Sequence, residues 1–373
     1  MIIKNYKIRI YPNNKQKVLL EKHFGANRWI YNYFLNKKIK VYQKEKKQVS
    51  CFQLINELPT LKKENIWLKD INAQSLQMSI RNIDNAFTRF FREKKGFPKF
   101  KSKRNTKNSF CLPQGNKVDF ENRIISVVKI GKLKARFDRK FDGKIKSVFI
   151  SKNSINQYYA SITVETREIA VKSKKIEEKT TVGIDLGIKD FAVISDGRVI
   201  KNPKHLIKSE KRLKILHKRL SRKRKGSNNR RKEKHKLAKL YNKIKNQRSY
   251  FLHNLSYKLT HENQVNAIAL ETLNISGMIK NHCLAKSISD ASWSEFVRQL
   301  EYKGVWYGVN ILRIGRFEPS SKMCECGEIN NSLTLKDREW KCKKCNKVNN
   351  RDLLASRNIK KFALQKQNLI NTG

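Results

Sequence analysis

Four cysteines in the last part of the chain place the strongest constraint on its fold. Cys342 and Cys345 have the CxxC spacing of a metal-binding knuckle, whereas Cys324 and Cys326 form a pair that is one residue tighter. Fifteen residues separate the two pairs, and Gly327 follows the first pair. We expect a structural zinc site, because four thiolates leave no coordination position open for catalysis. The alternative is four reduced cysteines that are merely buried or reactive.

Three acidic residues stand at positions typical of a metal-dependent nuclease. Asp185 and Glu271 each follow a short apolar run and are predicted at the ends of buried strands, and Asp352 opens the last predicted helix. Converging carboxylates suit Mg²⁺, which favours oxygen ligands, and a pair of such ions can activate water and stabilise a leaving oxygen. Each residue also has a structural interpretation, respectively as part of a turn, as a solvent-facing strand end and as a helix N-cap.

The charge of the chain indicates a polyanionic partner. There are 84 Lys and Arg against 31 Asp and Glu, a formal net charge of +53, and such an excess opposes compaction unless it is neutralised. Nucleic acid is the expected partner, and charge does not separate RNA from DNA. Residues 201–250 hold 21 basic and 2 acidic residues, a net of +19 (21 − 2). We expect two helices here, with a phosphate-binding tip formed by Arg222, Lys223, Arg224, Lys225, Arg230 and Arg231; the alternative is a solvated face.

The first half of the chain changes pattern twice. Residues 2–11 alternate like a strand, residues 14–94 have helical spacing, and residues 145–167 again resemble strands. The first and later strands are therefore expected to form one β-domain around an inserted helical block. Apolar residues of the last helix in that block predict a core face, while Gln74 and Gln77 on its other face are candidates for reading DNA.

The N-terminus and the three remaining cysteines indicate neither a targeting signal nor a further site. The N-terminus lacks the apolar region of a signal peptide, and no apolar run is long enough to span a membrane. We expect a cytoplasmic, nucleoid-associated protein with no membrane partner. Cys51, Cys111 and Cys283 are isolated and are expected to be buried or inert.

As an ordered set, several segments along almost the whole chain resemble the TnpB (OrfB) proteins of bacterial insertion sequences, which are related to type V CRISPR effectors. The segments are YKIRIYPNNKQKVLLEKHFGANRWIYNYFL, KKGFPKFKSK, GIDLGIKDFAVISDG, ALETLNISGM, LAKSISDASWSEFVRQLEYK, PSSKMCECG, LTLKDREWKCKKC and NRDLLASRNI.

The resemblance implies a multidomain α/β protein. A RuvC nuclease domain of RNase H-like fold would occupy residues 177–316 and 351–373, with a zinc ribbon at 317–350 inserted in it. A β-barrel wedge domain (1–12 and 95–176) would carry a helical recognition lobe (13–94). By motif, the catalytic triad falls on Asp185, Glu271 and Asp352.

The resemblance also implies cofactors, partners and an activity. The implied cofactors and partners are two Mg²⁺ ions, a structural Zn²⁺, a guide RNA encoded near the element's end, and double-stranded target DNA. Such proteins cut guide-matched DNA beside a short target-adjacent motif, while base pairing reads the sequence.

This chain departs from the family pattern without losing a triad carboxylate. Asn349 and Asn350 stand where His-Asp is frequent, Leu354 and Ser356 replace the frequent Asn and Ala, and the first cysteine pair is tight. One alternative is an RNA-guided binding protein that does not cleave, although the intact triad disfavours it. Another is a DNA-binding accessory of transposition. A self-sufficient tyrosine transposase is disfavoured, because it needs two histidines one residue apart and the chain has no such pair.

Overall fold

The computed structural model describes residues 1–104, 107–262, 264–334 and 337–370, with the backbone alone for residues 368–370. Small parts of the predicted domains therefore lie outside the described residues: 105–106 of the wedge domain, 263 and 371–373 of the nuclease domain, and 335–336 of the zinc ribbon. The chain forms two compact units, Met1–Ile169 and Ala170–Gly373.

Unit 1 is built on a seven-stranded antiparallel sheet. Its strands are β1 (Ile3–Tyr11), β2 (Asn108–Leu112), β3 (Lys117–Asp119), β4 (Ile124–Val127), β5 (Gly131–Arg136), β6 (Lys144–Lys152) and β7 (Tyr158–Glu165). Their order is β2-β6-β7-β1-β5-β4-β3. The N-terminal strand β1 therefore lies inside the sheet, between β7 and β5. The helical segment of unit 1 is inserted between strands of one sheet, as the sequence pattern predicts.

The described residues of the inserted segment form four α-helices and a short 3-10 helix. They are α1 (Asn14–Glu45), α2 (Cys51–Asn56), α3 (Leu58–Glu64), the 3-10 helix (Ile66–Asp70) and α4 (Ala73–Arg92). Asn13 and Gln16 form a capping box at the start of α1. The apolar face predicted for α4 is confirmed as far as Phe87. Leu76, Ile80 and Ile83 are fully buried against α1 and its neighbours, and Phe87 is partly buried against the same core.

Unit 2 contains a five-stranded mixed sheet. Its strands are β8 (Thr181–Leu186), β9 (Asp190–Ile194), β10 (Val199–Lys201), β11 (Ala267–Glu271) and β12 (Asn310–Ile314), in the order β10-β9-β8-β11-β12. Strand β8 is antiparallel to β9 and parallel to β11, and β11 is parallel to β12. A separate two-stranded ladder joins β13 (Glu339–Lys341) to β14 (Val348–Asn350).

Among its described residues, unit 2 has seven α-helices and a π-helical turn. They are α5 (His205–Lys208), α6 (Glu210–Ser221), α7 (Asn228–Tyr257), a π-helical turn (Lys258–Glu262), α8 (Ile275–Met278), α9 (His282–Ala291), α10 (Trp293–Tyr307) and α11 (Arg351–Ile370). Ile268 and Leu270 of β11 pack with residues of α7, α9 and α10, whereas Ala267 and Ala269 pack against α11. Alternate residues of the buried strand β11 thus pack into two different hydrophobic cores, one on each face of the sheet.

Among the described residues, no helix combines the length and the apolar character that crossing a membrane requires.

Candidate functional site

Two of the candidate carboxylates lie at the same edge of the mixed sheet. Asp185 and Glu271 come near the carboxyl ends of β8 and β11, which are adjacent and parallel, and Ile184 is paired with Leu270. Asp185 follows Ile184 and Glu271 follows Leu270, so the two acidic residues are neighbours on adjacent strands. In open sheets of this kind, ligand sites form outside the carboxyl ends of parallel strands.

Gly183 allows the third carboxylate to approach. A Cβ atom at this position would lie 2.0 Å from the carbonyl oxygen of Ser356 and 2.8 Å from the backbone nitrogen of Lys360. Helix α11 therefore contacts the backbone of β8 directly, at a distance that only glycine permits. Asp352 lies in the first turn of that helix, one turn before Ser356, so this contact sets the first turn of the helix beside β8.

The electrostatics of Asp185 indicate that the three carboxylates act on one another. Burial, followed by the negative charges of Glu271 and Asp352, raises the pKa of Asp185 to about 7, and Arg351 opposes that shift. Like charges held together disfavour ionisation. A bound cation would remove this repulsion, and an all-carboxylate donor set fits a hard ion such as Mg²⁺.

Two of the three carboxylates, Glu271 and Asp352, accept hydrogen bonds from other side chains. The hydroxyl of Ser320 donates a hydrogen bond to Glu271. Arg338 Nη1 donates to both carboxylate oxygens of Asp352, at 3.0 and 3.2 Å. Sequence reasoning did not single out either residue; the signal available for Ser320 was its place in the segment PSSKMCECG. A cation at Asp352 would have to share that carboxylate with Arg338.

The four cysteines converge into one cluster. The sulfur atoms of Cys324 and Cys345 are 3.6 Å apart, as are those of Cys326 and Cys342, and all four lie within 4.8 Å of one another. A tetrahedral site with Zn–S bonds of about 2.3 Å has sulfur–sulfur edges of roughly 3.8 Å, so the donor set fits zinc. Within the described residues, no other group of three or more His, Cys, Asp or Glu is as tight.

The tight first pair closes through a short backbone loop. The amide of Cys324 donates to the carbonyl of Glu328 at 2.8 Å, and the amide of Gly327 donates to the carbonyl of Cys324 at 2.9 Å. Gly327 has a φ of 90°, which favours glycine. The one-residue deficit between Cys324 and Cys326 therefore does not prevent the four sulfurs from meeting.

The three isolated cysteines differ in exposure. Cys111 is buried and Cys51 is partly buried, but Cys283 is exposed. Of the two expected states, buried or inert, burial therefore does not hold for Cys283, which lies near the start of the short helix α9.

Helix α11 carries contacts to the cysteine segment as well as Asp352. Asn358 Nδ2 donates to the carbonyls of Ser320 and Met323, at 2.7 and 2.6 Å. Arg357 Nη1 lies 3.0 Å from Oε1 of Glu325, the residue between Cys324 and Cys326. The helix that brings Asp352 to the sheet thus also anchors the segment that contains the cluster.

The basic segment forms a helical hairpin from α6 and α7. The two helices share a small apolar core of Leu213, Leu216, Leu237, Leu240 and Ile244. The expected division into two helices is confirmed, and residues 222–227 separate them. The tip residues that are exposed are Arg222, Lys223, Arg224, Lys225 and Arg231.

Arg230 has a different role from the other tip residues. Its Nη1 donates to the carbonyls of Leu220 and Lys223, at 2.6 and 2.9 Å. The side chain thereby ties the start of α7 to the end of α6, so the structure gives it a function in shaping the tip.

Gln74 and Gln77 lie on the N-terminal half of α4 and are partly buried. Gln74 Nε2 donates to Gln114 Oε1 at 3.1 Å, which links the helix to the loop after β2. No described contact tests whether either amide reads DNA.

Three family profiles match separate parts of the chain. The OrfB_IS605 profile, described as "Probable transposase", matches residues 161–282. A profile described as "Cas12f1-like, TNB domain" matches residues 293–359, and a helix-turn-helix domain of OrfB_IS605 matches residues 1–47. In this chain residues 1–47 contain β1 and the single long helix α1.

Two relatives match over most of the chain. A Streptomyces pristinaespiralis protein, provisionally named an RNA-guided DNA endonuclease, is 33% identical over 95% of this chain and 88% of its own length. The Escherichia coli K12 protein InsQ, named in the same provisional way, is 30% identical over 95% of this chain and 90% of its own length.

A solved structure shares the fold. The structure titled "Cryo-EM structure of the Cas12f1-sgRNA-target DNA complex" superimposes with a TM-score of 0.52 at 15% identity, over 96% of this chain and 98% of the other.

Proposed function

The chain belongs to the TnpB (OrfB) family of insertion-sequence proteins, and we propose that it is an RNA-guided DNA endonuclease. In this proposal it cuts guide-matched double-stranded DNA beside a short target-adjacent motif. The observation that carries it is the grouping of Asp185 with Glu271 and Asp352, seen in the raised pKa of Asp185. The names of the two relatives and the net charge of +53 support it.

We assign the mixed sheet of unit 2 to a RuvC-like nuclease domain of RNase H-like fold, covering residues 177–316 and 351–373. The zinc ribbon is residues 317–350. The wedge domain takes residues 1–12 and 95–176, and the helical recognition lobe takes 13–94. The pairing of β1 between β5 and β7 supports the split wedge domain.

Asp185, Glu271 and Asp352 are the proposed ligands of two Mg²⁺ ions. When bound, such ions supply Lewis-acid activation of water and charge stabilisation at the leaving oxygen. The protein's own part is to hold three carboxylates at one edge of the sheet. Ser320 orients Glu271 through its hydrogen bond, and Arg338 orients Asp352.

The cysteine cluster has a structural role in this proposal. Cys324, Cys326, Cys342 and Cys345 would hold Zn²⁺ with no open position. Because Asn358 and Arg357 of α11 contact the same segment, order in the ribbon supports the position of the helix that carries Asp352.

Nucleic-acid binding is divided between charge and base pairing. The exposed tip of the α6–α7 hairpin is proposed to contact phosphates, and Gln74 and Gln77 to read the target-adjacent motif. The guide RNA from the element's end would read the target sequence by pairing. Such a protein works in the cytoplasm, at the nucleoid.

The test begins with the RNA that copurifies with the protein expressed from its own locus. A discrete structured RNA that ends in sequence from beyond the element is expected, and it supplies the guide for a cleavage assay with Mg²⁺. Asp185→Asn should abolish cleavage while guide and target binding remain. Heterogeneous host RNA would contradict guided targeting, whereas guide-dependent binding without cleavage by the unaltered protein would identify a nuclease-silent regulator.

A further inference from the structure

An aromatic cavity lies in unit 1 at the C-terminal end of α4. Its volume is about 630 Å³, within the range of pockets that enclose organic ligands. One wall is the second half of α1 with the residues that follow it, and the other is the end of α4 with Phe97 beyond it. No residue of the candidate sites described above lines it.

Four phenylalanine rings form one side of this cavity. Phe97 meets Phe87 and Phe90 edge to face, with ring centroids 5.6 and 5.4 Å apart. Phe90 meets Phe91 in the same way at 5.0 Å. The chain folds back after α4, where the amide of Lys95 donates to the carbonyl of Arg89 at 3.2 Å. This reversal returns Phe97 to the end of the helix.

Two of these rings do not serve the core. The buried face of α4 ends at Ile83, and Phe87 is the last ring that packs against the helical core. Phe91 is 64% exposed and Phe97 is 47% exposed. Grouped apolar exposure of this kind marks binding surfaces more often than it serves stability.

The chemistry around the rings favours nucleic acid over an apolar protein segment. Lys38, Lys47 and Arg92 line the cavity, and its one acidic lining residue, Asp84, is 3.4 Å from Lys38 Nζ. The lysine nitrogen is also 5.2 Å from the centre of the Phe87 ring. Gln43 and Gln48 add amide groups. Aromatic rings bordered by cations are the combination that stacks bases and contacts phosphates.

We propose that this cavity binds unpaired nucleotides of RNA, with Phe91 and Phe97 stacked on bases and Lys47 and Arg92 next to phosphates. The proposal rests on the proposed function for the presence of an RNA. Folded RNA displays unstacked bases in its loops, whereas double-stranded DNA keeps its bases stacked inside the helix. The aromatic wall therefore fits loop nucleotides and excludes a duplex.

The binding test uses the full chain carrying both Phe91→Leu and Phe97→Leu, which removes the aromatic faces and keeps apolar bulk. Fluorescent single-stranded oligouridylate, titrated at high salt without Mg²⁺, should bind about tenfold more weakly or worse. The matched control is Phe52→Leu, a 71% exposed ring on α2 outside the cavity. That control should bind like the unaltered protein, and duplex RNA should not distinguish the three proteins.

A second measurement needs no substitution. Oligouridylate that contains 4-thiouridine, irradiated with the unaltered protein, should crosslink to the peptide that contains Phe91 and Phe97. Crosslinks only elsewhere, or equal weakening by Phe52→Leu, would overturn the proposal. Equally strong, ring-dependent binding of single-stranded DNA would overturn the RNA assignment. Loss of self-association in sedimentation, with RNA binding unchanged, would identify a protein–protein surface instead.

These measurements are independent of cleavage. If the oligouridylate result holds and the guided cleavage assay fails, the nuclease proposal alone is wrong. If cleavage depends on Asp185 but the ring variants bind RNA normally, the cavity proposal alone is wrong.

Discussion

Asp185 shows how one residue links site chemistry to stability. Its pKa is raised from 3.8 to about 7, so the folded protein binds the proton more tightly than the unfolded chain does. Stability contributed at this residue is therefore lost as the pH rises from about 4 to 7 and stays lost at higher pH. The cost at pH 8 has an upper bound of about 4 kcal/mol.

We therefore expect Asp185→Asn to raise the unfolding temperature at pH 8 without added Mg²⁺, because the amide removes a buried charge and its repulsion with Glu271 and Asp352. The gain should shrink as the pH is lowered to 5. Thermal unfolding across that range measures it. Glu339→Gln, at an exposed carboxylate in the same unit, should show no comparable gain. A gain that is the same at both pH values would show that ionisation of Asp185 is not its source.

The contacts of the site could be predicted only in part at this scale. Asp185 and Glu271 were predicted because each follows a local apolar run that reads as a strand. Ser320 is 49 residues from Glu271 and Arg338 is 14 residues from Asp352. Both partners come from irregular or short-strand segments, where no periodicity indicates the direction of a side chain.

At the scale of elements, Gly183 lets the backbones of β8 and α11 meet directly. Gly183→Ala should lower the unfolding temperature and abolish cleavage, because the added methyl group would meet the backbone of α11 at Ser356. Overpacking of this kind typically costs about 1–3 kcal/mol, or more where backbone must move. Calorimetry and a cleavage assay measure the two effects.

Gly25→Ala provides the matched control for that substitution. Gly25 lies within α1, and a Cβ there meets nothing within 4 Å. Alanine at an open helical position should be neutral or stabilising by up to about 1 kcal/mol. If Gly183→Ala behaved like Gly25→Ala, α11 would not be held against β8 as described.

The cysteine segment can be tested as a second element. Cys342→Ser should release zinc and lower cleavage, because the segment that α11 contacts through Asn358 would lose its order. Metal analysis and cleavage with added Mg²⁺ measure both. Cys283→Ser, at the exposed cysteine outside the cluster, should retain zinc and activity. Full zinc content in Cys342→Ser would contradict the four-cysteine site.

Elements with strong local sequence patterns were predictable. The residue at which an element ends and its contacts with distant residues were not. The break between α6 and α7 and the buried strand β11 both follow from local sequence. The end of helix α11, at Ile370, was not among the predicted limits. The role of Arg230 was also hidden, because its partners are carbonyl groups at the end of another helix.

At the scale of the whole molecule, the net charge of +53 predicts strongly salt-dependent binding. Replacing Arg222, Lys223, Arg224 and Lys225 with Gln should weaken binding to DNA and RNA. It should also flatten the logarithmic dependence on salt by about 0.9 for each duplex phosphate that the protein no longer neutralises. Fluorescence anisotropy over a range of NaCl concentrations measures the slope.

Arg230→Gln is the contrasting variant in the same hairpin. Because its side chain is bonded to the carbonyls of Leu220 and Lys223, its loss should lower thermal stability and change the salt slope less than the fourfold replacement does. An equal or larger change in slope from Arg230→Gln alone would show that this residue contacts phosphate directly.

The order of the three carboxylates along the chain has a consequence for protein synthesis. The ribosome makes β8 and β11 long before α11, so a nascent chain holds Asp185 and Glu271 while Asp352 does not yet exist. A polypeptide whose translation stops anywhere before α11 also lacks the helix that packs on Gly183. In the proposed enzyme, unfinished copies would therefore bind nucleic acid through their basic surfaces but would be unable to cut the host chromosome.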